Sequence, residues 1–215
     1  MLLTFLLELL LAAFVFARYS ATRFGKVAGL ILILLATFQF AEYRICTTEE
    51  LTLWLWPRIA FLAITLLPVT GLYLVSLVSR KPHFLKLGYV TAAAFILYLA
   101  FVPKSISHAV CGGNYIVFNM SNDFYRIFGF YYLGFLLLGI WESIEKISSL
   151  RRLTSVKRTL QWLIAAHLSF MAPMGTAYVL IPETRNAVAS VMCGFAVTMA
   201  FILTFKVLPA HSRAG

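Results

Sequence analysis

Apolar runs long enough to cross a membrane follow one another along this chain from end to end. A helix needs about 20 mostly apolar residues to cross the hydrocarbon core of a bilayer. Short polar or proline-containing stretches separate seven such runs. The runs lie near residues 2–17, 26–43, 56–79, 86–103, 126–146, 159–181 and 187–208. The sequence therefore predicts an all-α integral membrane protein, with one seven-helix transmembrane domain over residues 1–215.

Composition favours a membrane protein over a soluble one. Of the 215 residues, 61% are hydrophobic and 12% are charged, whereas about 25% of the residues in a soluble domain are charged. Basic residues follow the first run at Arg18, Arg23 and Lys26 and none precedes it, so we expect a retained helix and not a signal peptide. The net charge of +10 is clustered between the runs, which indicates contact with lipid headgroups and not with nucleic acid.

The distribution of basic residues predicts the orientation of the chain. Basic loops stay on the cytoplasmic side of a membrane. Thirteen of the 18 lysine and arginine residues fall after the first, third and fifth runs or in the C-terminal tail. The other five are Arg44, Arg58, Lys104, Arg126 and Arg185. We therefore expect the N-terminus outside, the C-terminus in the cytoplasm, and a multi-pass protein of the plasma (inner) membrane.

Two cysteines, Cys46 and Cys111, fall in the two longest outer connections, whereas Cys193 lies inside the seventh run. An oxidising exterior permits a disulfide between the first two. Free thiols at both positions are the alternative. Cys193 is interpreted as a small packing residue.

Candidate ligand-binding residues gather near the outer ends of the third and fifth runs. They combine aromatic area with two cations that suit an anionic group. The alternative is an aromatic belt at the headgroup level. The candidates are Trp54, Trp56, Arg58, Tyr115, Tyr125 and Arg126.

Glu8 and His167 lie well inside their runs, where charge is costly. Glu8 in the first run can pair with Arg58 or Arg126, or stay protonated. His167 in the sixth run either lines a polar cavity with Ser169 and Thr176 or bonds a neighbouring helix, and is a further ligand-binding candidate. Near the inner end of the fifth run, Glu142 and Glu145 are expected to form surface ion pairs.

Catalytic and cofactor motifs are missing from the sequence. It has no His-x-x-x-His or Cys-x-x-Cys pair for a metal and no glycine-rich nucleotide loop. The last run has no lysine at mid-membrane for a retinal Schiff base. We therefore expect no enzyme activity, no metal and no cofactor.

Several motifs resemble the N-terminal seven-transmembrane sensory region of bacterial histidine kinases and diguanylate cyclases. They are Glu50, Leu-Trp-Leu-Trp-Pro-Arg at 53–58, Pro68, Phe-Gly-Phe-Tyr-Tyr at 128–132, the basic link from Arg151-Arg152 to Lys157-Arg158, and Pro173. The resemblance implies a ligand-sensing module that passes a signal inward. Those proteins continue into a cytoplasmic output domain, whereas this chain ends seven residues after its last run.

We therefore expect a receptor-like sensing module that signals through a partner membrane protein or a cytoplasmic output protein. A structural or assembly subunit of a larger membrane complex is the alternative, because short loops and the lack of catalytic residues fit it equally. A small-solute transporter fits less well, because the sequence shows no internal repeat.

Overall fold

The computed structural model describes residues 1–47, 55–102, 106, 108–112, 115–150, 154–181 and 187–212. Within these ranges the chain is almost entirely helical, apart from one short β-hairpin. The elements are α1 (Leu2–Tyr19), α2 (Arg23–Thr47), α3 (Leu55–Ser79), α4 (Leu85–Phe101), β1 (His108–Cys111), β2 (Ile116–Asn119), α5 (Asn122–Ser149), α6 (Ser155–Leu180) and α7 (Val188–Ile202), which continues through a π-helical stretch (Leu203–Val207) into α8 (Leu208–Ser212).

Six helical segments are long and apolar enough to cross a membrane, so the chain has the build of a multi-pass membrane protein. They are α1, α2, α3, α5, α6 and the continuous segment Val188–Ser212. Helix α4 is apolar but has only 17 residues, which makes it about 25 Å long. Each predicted run matches a helix, and most helices extend a few residues beyond the apolar core into polar flanks.

The helices pack as a bundle with α2 and α3 at its centre. Helix α2 lies between α1 and α3, and α3 also contacts α4, α5 and α6. Helix α7 packs on α6 and closes the bundle against α1 and α2. Helices α1 and α4 bury only a narrow stripe and expose many large apolar side chains. Such faces suit contact with lipid acyl chains.

The β-hairpin departs from the predicted all-α class. Strands β1 and β2 pair antiparallel, with Cys111 opposite Ile116 and Ala109 opposite Phe118. On β2, Ile116 and Phe118 are buried whereas Val117 between them is partly exposed, as expected for a strand with one face on a core. The surrounding segment is rich in polar and turn-forming residues, so the sequence alone indicates an irregular connection there.

A disulfide joins the hairpin to the bundle, as predicted. Cys46 in the last turn of α2 is bonded to Cys111 in β1, with their Cα atoms 5.5 Å apart. Cys193 is a buried free thiol in α7. We call the end of the bundle that carries β1 and β2 the hairpin end.

The opposite end, called the basic end, carries Arg18, Lys26, Lys81, Lys157 and Lys206. There, Lys81 Nζ lies 2.5 Å from a carboxylate oxygen of Glu145, and both side chains are partly exposed. This is the surface ion pairing expected for Glu145. The expectation for Glu142 is wrong: its side chain is buried, and neither carboxyl oxygen has a hydrogen-bond partner in the described structure.

Candidate functional site

Aromatic side chains fill the hairpin end of the bundle. The ring of Phe118 on β2 meets Phe61 of α3 edge to face, with centroids 5.0 Å apart, and lies 6.3 Å from Phe38 of α2. Phe61 in turn contacts Phe128 of α5 at 5.4 Å. Edge-to-face pairs of this kind are favourable beyond the area they bury. The hairpin is therefore part of the packed core and not a flap on the surface.

Directly behind these rings lies a small pocket between α3, α5 and α7. Its walls are apolar and are formed in part by Phe61, Ile64, Phe128, Gly129 and Met192. The pocket has a volume of ≈ 60 Å³. An apolar cavity that binds benzene has about 150 Å³. In this conformation the pocket admits only a few heavy atoms.

Among the predicted ligand-binding residues that the structure describes, Tyr125 alone lines this pocket. Its hydroxyl interacts with the backbone N–H groups of Val188 and Ala189 at the start of α7. The first N–H groups of a helix have no partner within the helix, so this contact ties α5 to the start of α7 across the pocket.

Trp56 and Arg126 lie away from the pocket. The Trp56 ring faces α2, where it meets Phe40 edge to face at 5.6 Å and lies under the Arg44 guanidinium at 5.3 Å. Arg126 is exposed on α5. The two cations predicted for the site are therefore not both in the α3–α5–α7 pocket.

The remaining candidates at this end are also dispersed. Arg58 is half-buried in the first turn of α3. Tyr115 is half-buried beside Gly112, whose N–H donates to the Tyr115 carbonyl at 2.8 Å. Trp54 lies outside the described residues.

His167 faces a second cavity, of ≈ 40 Å³, deeper in the bundle. Its Nδ1 lies 2.8 Å from the Leu163 carbonyl oxygen one turn back in α6. Because a carbonyl only accepts, Nδ1 carries the proton, and in the neutral ring Nε2 is an acceptor. A Cβ added at Gly71 of α3 would lie 3.5 Å from Nε2. The Nδ1 atom of His167 thus hydrogen-bonds within its own helix. It does not form the bond to a neighbouring helix that was considered from the sequence.

The His167 cavity is apolar and not the polar one considered from sequence. The hydroxyls of Ser169 and Thr176 donate to carbonyls of their own helix, at Ala166 and Ala172. The cavity shares Tyr132, Met192 and Cys193 with the α3–α5–α7 pocket. The two spaces therefore adjoin at this group of side chains.

Glu8 does not form the arginine pair considered from sequence. Its side chain is fully buried, and neither carboxyl oxygen has a hydrogen-bond partner in the described structure. Glu42 of α2 is 1% exposed, and the sequence alone does not indicate this burial because Glu42 lies near the end of an apolar run. One sequence feature points to a shared environment: Gln39 and Glu42 are three residues apart and therefore lie on the same face of a helix.

At the basic end, an open groove of ≈ 600 Å³ runs between α6 and the end of the last helix. Arg158, Gln161 and Lys206 line it. Lys206 Nζ lies 5.6 Å from the centre of the Trp162 ring. The groove therefore presents positive charge at the basic end.

Metal ligands are not grouped in the described part of the chain, where no cluster of three or more His, Cys, Asp or Glu side chains occurs. No protein-family model matches the chain, and no curated protein matches it.

Proposed function

We propose that the protein is a receptor-like sensing module of the plasma (inner) membrane. It has seven spans, including α4, with the hairpin end outside and the basic end in the cytoplasm. It has no enzyme activity and signals through a partner membrane protein or a cytoplasmic output protein. The orientation rests on the excess of basic residues at one end.

One observation carries the proposal: an apolar pocket lies behind a β-hairpin that is tethered by a disulfide. Phe118 of the hairpin packs on Phe61, which lines the pocket. Tyr125 lines the same pocket and touches the first turn of α7. A molecule in this pocket would therefore contact α3, α5 and α7 together.

The small volume of the pocket explains how binding would produce a signal. A ligand larger than a few heavy atoms fits only if α5 and α7 move apart. Such a ligand binds the open arrangement better than the closed one and shifts the population toward it. Helix α7 continues through the π-helical stretch and α8 to Ser212 at the basic end, so its displacement would reach the cytoplasmic side.

Glycine substitutions in α5 test the pocket with a matched control. A Cβ at Gly129 or at Gly134 meets no atom within 4 Å, but only Gly129 lines the pocket. We expect some members of a panel of small aromatic and aliphatic molecules to raise the unfolding temperature of the protein in nanodiscs. Gly129→Leu should abolish that rise, and Gly134→Leu should retain it.

Purification distinguishes this proposal from the complex-subunit alternative. A receptor should remain folded in mild detergent after other membrane proteins, including a signalling partner, have been removed. Stoichiometric co-purification with other membrane chains, together with no stabilising molecule in the panel, would contradict the receptor and support an assembly subunit.

A further inference from the structure

Three polar side chains are buried between α1 and α2 at the hairpin end with atoms that lack partners. Glu8 is 0% exposed, Glu42 1% and Gln39 2%. Both oxygens of Glu8, one oxygen of Glu42 and the amide nitrogen of Gln39 have no hydrogen-bond partner in the described structure. Buried polar groups are nearly always satisfied, so several orphans at one interface require an explanation.

These groups lie one after another along the bundle axis. We call them the ladder, which consists of Thr4, Glu8, Gln39 and Glu42. The Thr4 hydroxyl lies 2.9 Å from the Gln39 side-chain oxygen and so links α1 to α2. A turn of only a few residues joins the two helices, which are therefore antiparallel. Glu8 lies four residues beyond Thr4 toward the basic end, and Glu42 lies three residues beyond Gln39 toward the hairpin. At 1.5 Å per residue the Cα atoms of Glu8 and Glu42 are offset by about 10 Å along the axis, and the two side chains tilt toward each other because each points to the N-terminal end of its own helix.

Helix α7 contributes further polar groups beside the ladder. Ser190 hydrogen-bonds to Glu42, and its hydroxyl also accepts from the Ile116 N–H of β2 at 3.1 Å. Cys193, one turn further along α7, interacts electrostatically with both glutamates. Hydrogen-bonded polar groups therefore extend from the hairpin through Ser190 to Glu42, and Glu8 lies further inside the bundle.

The charged and titratable groups around the ladder do not neutralise Glu8 directly. The Met1 amino group interacts electrostatically with Glu42, and Glu8 and Glu42 repel each other. From α2 itself, Arg44 is directed at the Trp56 ring, and Arg58 is half-buried at the start of α3. Glu8 forms no ion pair within the described residues. An ionised carboxylate without a counter-charge is strongly disfavoured in a membrane interior.

We propose that Glu8 and Glu42 form a proton-binding site inside the bundle that is loaded from the hairpin end. A lone pair on a carboxylate oxygen takes a proton from water at that end and gives a neutral carboxylic acid. The donor set suits a proton better than a divalent cation. Ca²⁺ requires about six to eight oxygen ligands, whereas this site offers two carboxyl groups and one amide.

The site also connects proton binding to the hairpin. Ser190 has one hydroxyl proton, which it donates to ionised Glu42 while it accepts from Ile116. When Glu42 is protonated its own O–H can donate, and the Ser190 hydroxyl is free to turn. Protonation therefore changes the hydrogen bond that holds β2 against α7. This inference does not depend on the sensing function, since the site exists whether or not the pocket binds a ligand.

Infrared spectroscopy of the protein in nanodiscs tests the site. Because Glu142 is also buried with carboxyl oxygens that lack a hydrogen-bond partner in the described structure, all samples carry Glu142→Gln. In this background we expect, at neutral pH, a C=O stretch of protonated carboxylic acid that the double variant Glu8→Gln/Glu42→Gln loses. Glutamine matches the shape of the neutral acid, so folding should be kept, and each single variant should remove part of the band. Glu145→Gln is the control, because Glu145 is exposed and paired with Lys81, and it should leave the band unchanged.

Hydrogen exchange tests the connection to the hairpin. We expect Glu42→Gln to change the pH dependence of amide protection in a peptide covering Ile116–Asn119, while Glu145→Gln leaves it as in the wild type. The absence of a protonated-acid band at neutral pH, or a band that survives in the double variant, would overturn the proposal. Loss of the band when sodium replaces potassium would instead make this a sodium site.

Discussion

The two ends of the bundle differ in packing, in charge and in exposure. At the hairpin end, a disulfide, a strand pair and a cluster of aromatic rings close the structure. The carboxyls of Glu8 and Glu42 are buried there, with oxygens that lack a hydrogen-bond partner in the described structure. At the basic end, lysines and arginines are exposed, an ion pair lies in contact with solvent, and a wide groove stays open. The comparison indicates that specific packing is concentrated at the hairpin end, whereas charge and access are concentrated at the basic end.

The largest expected difference between the ends comes from the disulfide. The bond closes a sequence separation of 65 residues, and the chain-entropy model predicts a stabilisation of roughly 4 kcal/mol for a loop of that size. Cys111→Ser should therefore lower the free energy of unfolding far more than any single change at the basic end. Unfolding in detergent with and without reductant measures the effect.

Cys193→Ala provides the control for that experiment, because its thiol is buried and unbonded. Non-reducing mass spectrometry should recover the peptides of Cys46 and Cys111 joined. If both cysteines were free thiols in a freshly isolated sample, no disulfide would stabilise the hairpin end, and the expected difference in stability between the two ends would be contradicted.

A smaller effect is expected for a hydrogen bond in the aromatic cluster. The Tyr131 hydroxyl donates to the Thr65 carbonyl of α3 at 2.6 Å, in a fully buried position. Tyr131→Phe should cost about 1 kcal/mol, the usual net value of such a bond. Thermal unfolding should show a clear loss for Tyr131→Phe. An equal loss for Tyr131→Ala and Tyr131→Phe would mean that the ring contributes nothing.

The smallest effect is expected at the basic end. Lys81 and Glu145 are 35% and 49% exposed, and exposed ion pairs contribute about 0–1 kcal/mol. Glu145→Gln should change stability by less than Tyr131→Phe, and added salt should reduce that change further. A loss comparable to that of the disulfide variant would contradict the division of the molecule into two unlike ends.

The sequence predicts the helices well because each carries its own signal, an apolar run of spanning length. It also predicts the cysteine pair, since Cys46 and Cys111 share one side in the predicted topology. The hairpin was missed because its strands have only four residues each and lie within a polar segment. Tertiary contacts form those strands, through Ile116 and Phe118.

The candidate site could be predicted only in part, because helices that are apolar all round give no indication of which side faces the bundle. Tyr125 faces the pocket, whereas Trp56 on a neighbouring helix faces α2 and Arg126 is exposed. The pocket walls, such as Phe61, Gly129 and Met192, have no chemical signature in the sequence. Rotational orientation of the helices decides these positions, and only the packed structure provides it.

Cysteine labelling in intact cells tests the central claim that the hairpin end faces outward and the basic end inward. In a Cys193→Ala background, single cysteines would be placed at Asn114, between the two strands in sequence, and at Ser155 and Ser212 at the basic end. A membrane-impermeant thiol reagent should label Asn114→Cys from outside and should label Ser155→Cys and Ser212→Cys only after the membrane is opened. Labelling of Ser155→Cys in intact cells, with Asn114→Cys protected, would contradict the orientation and with it the proposed outward-facing site.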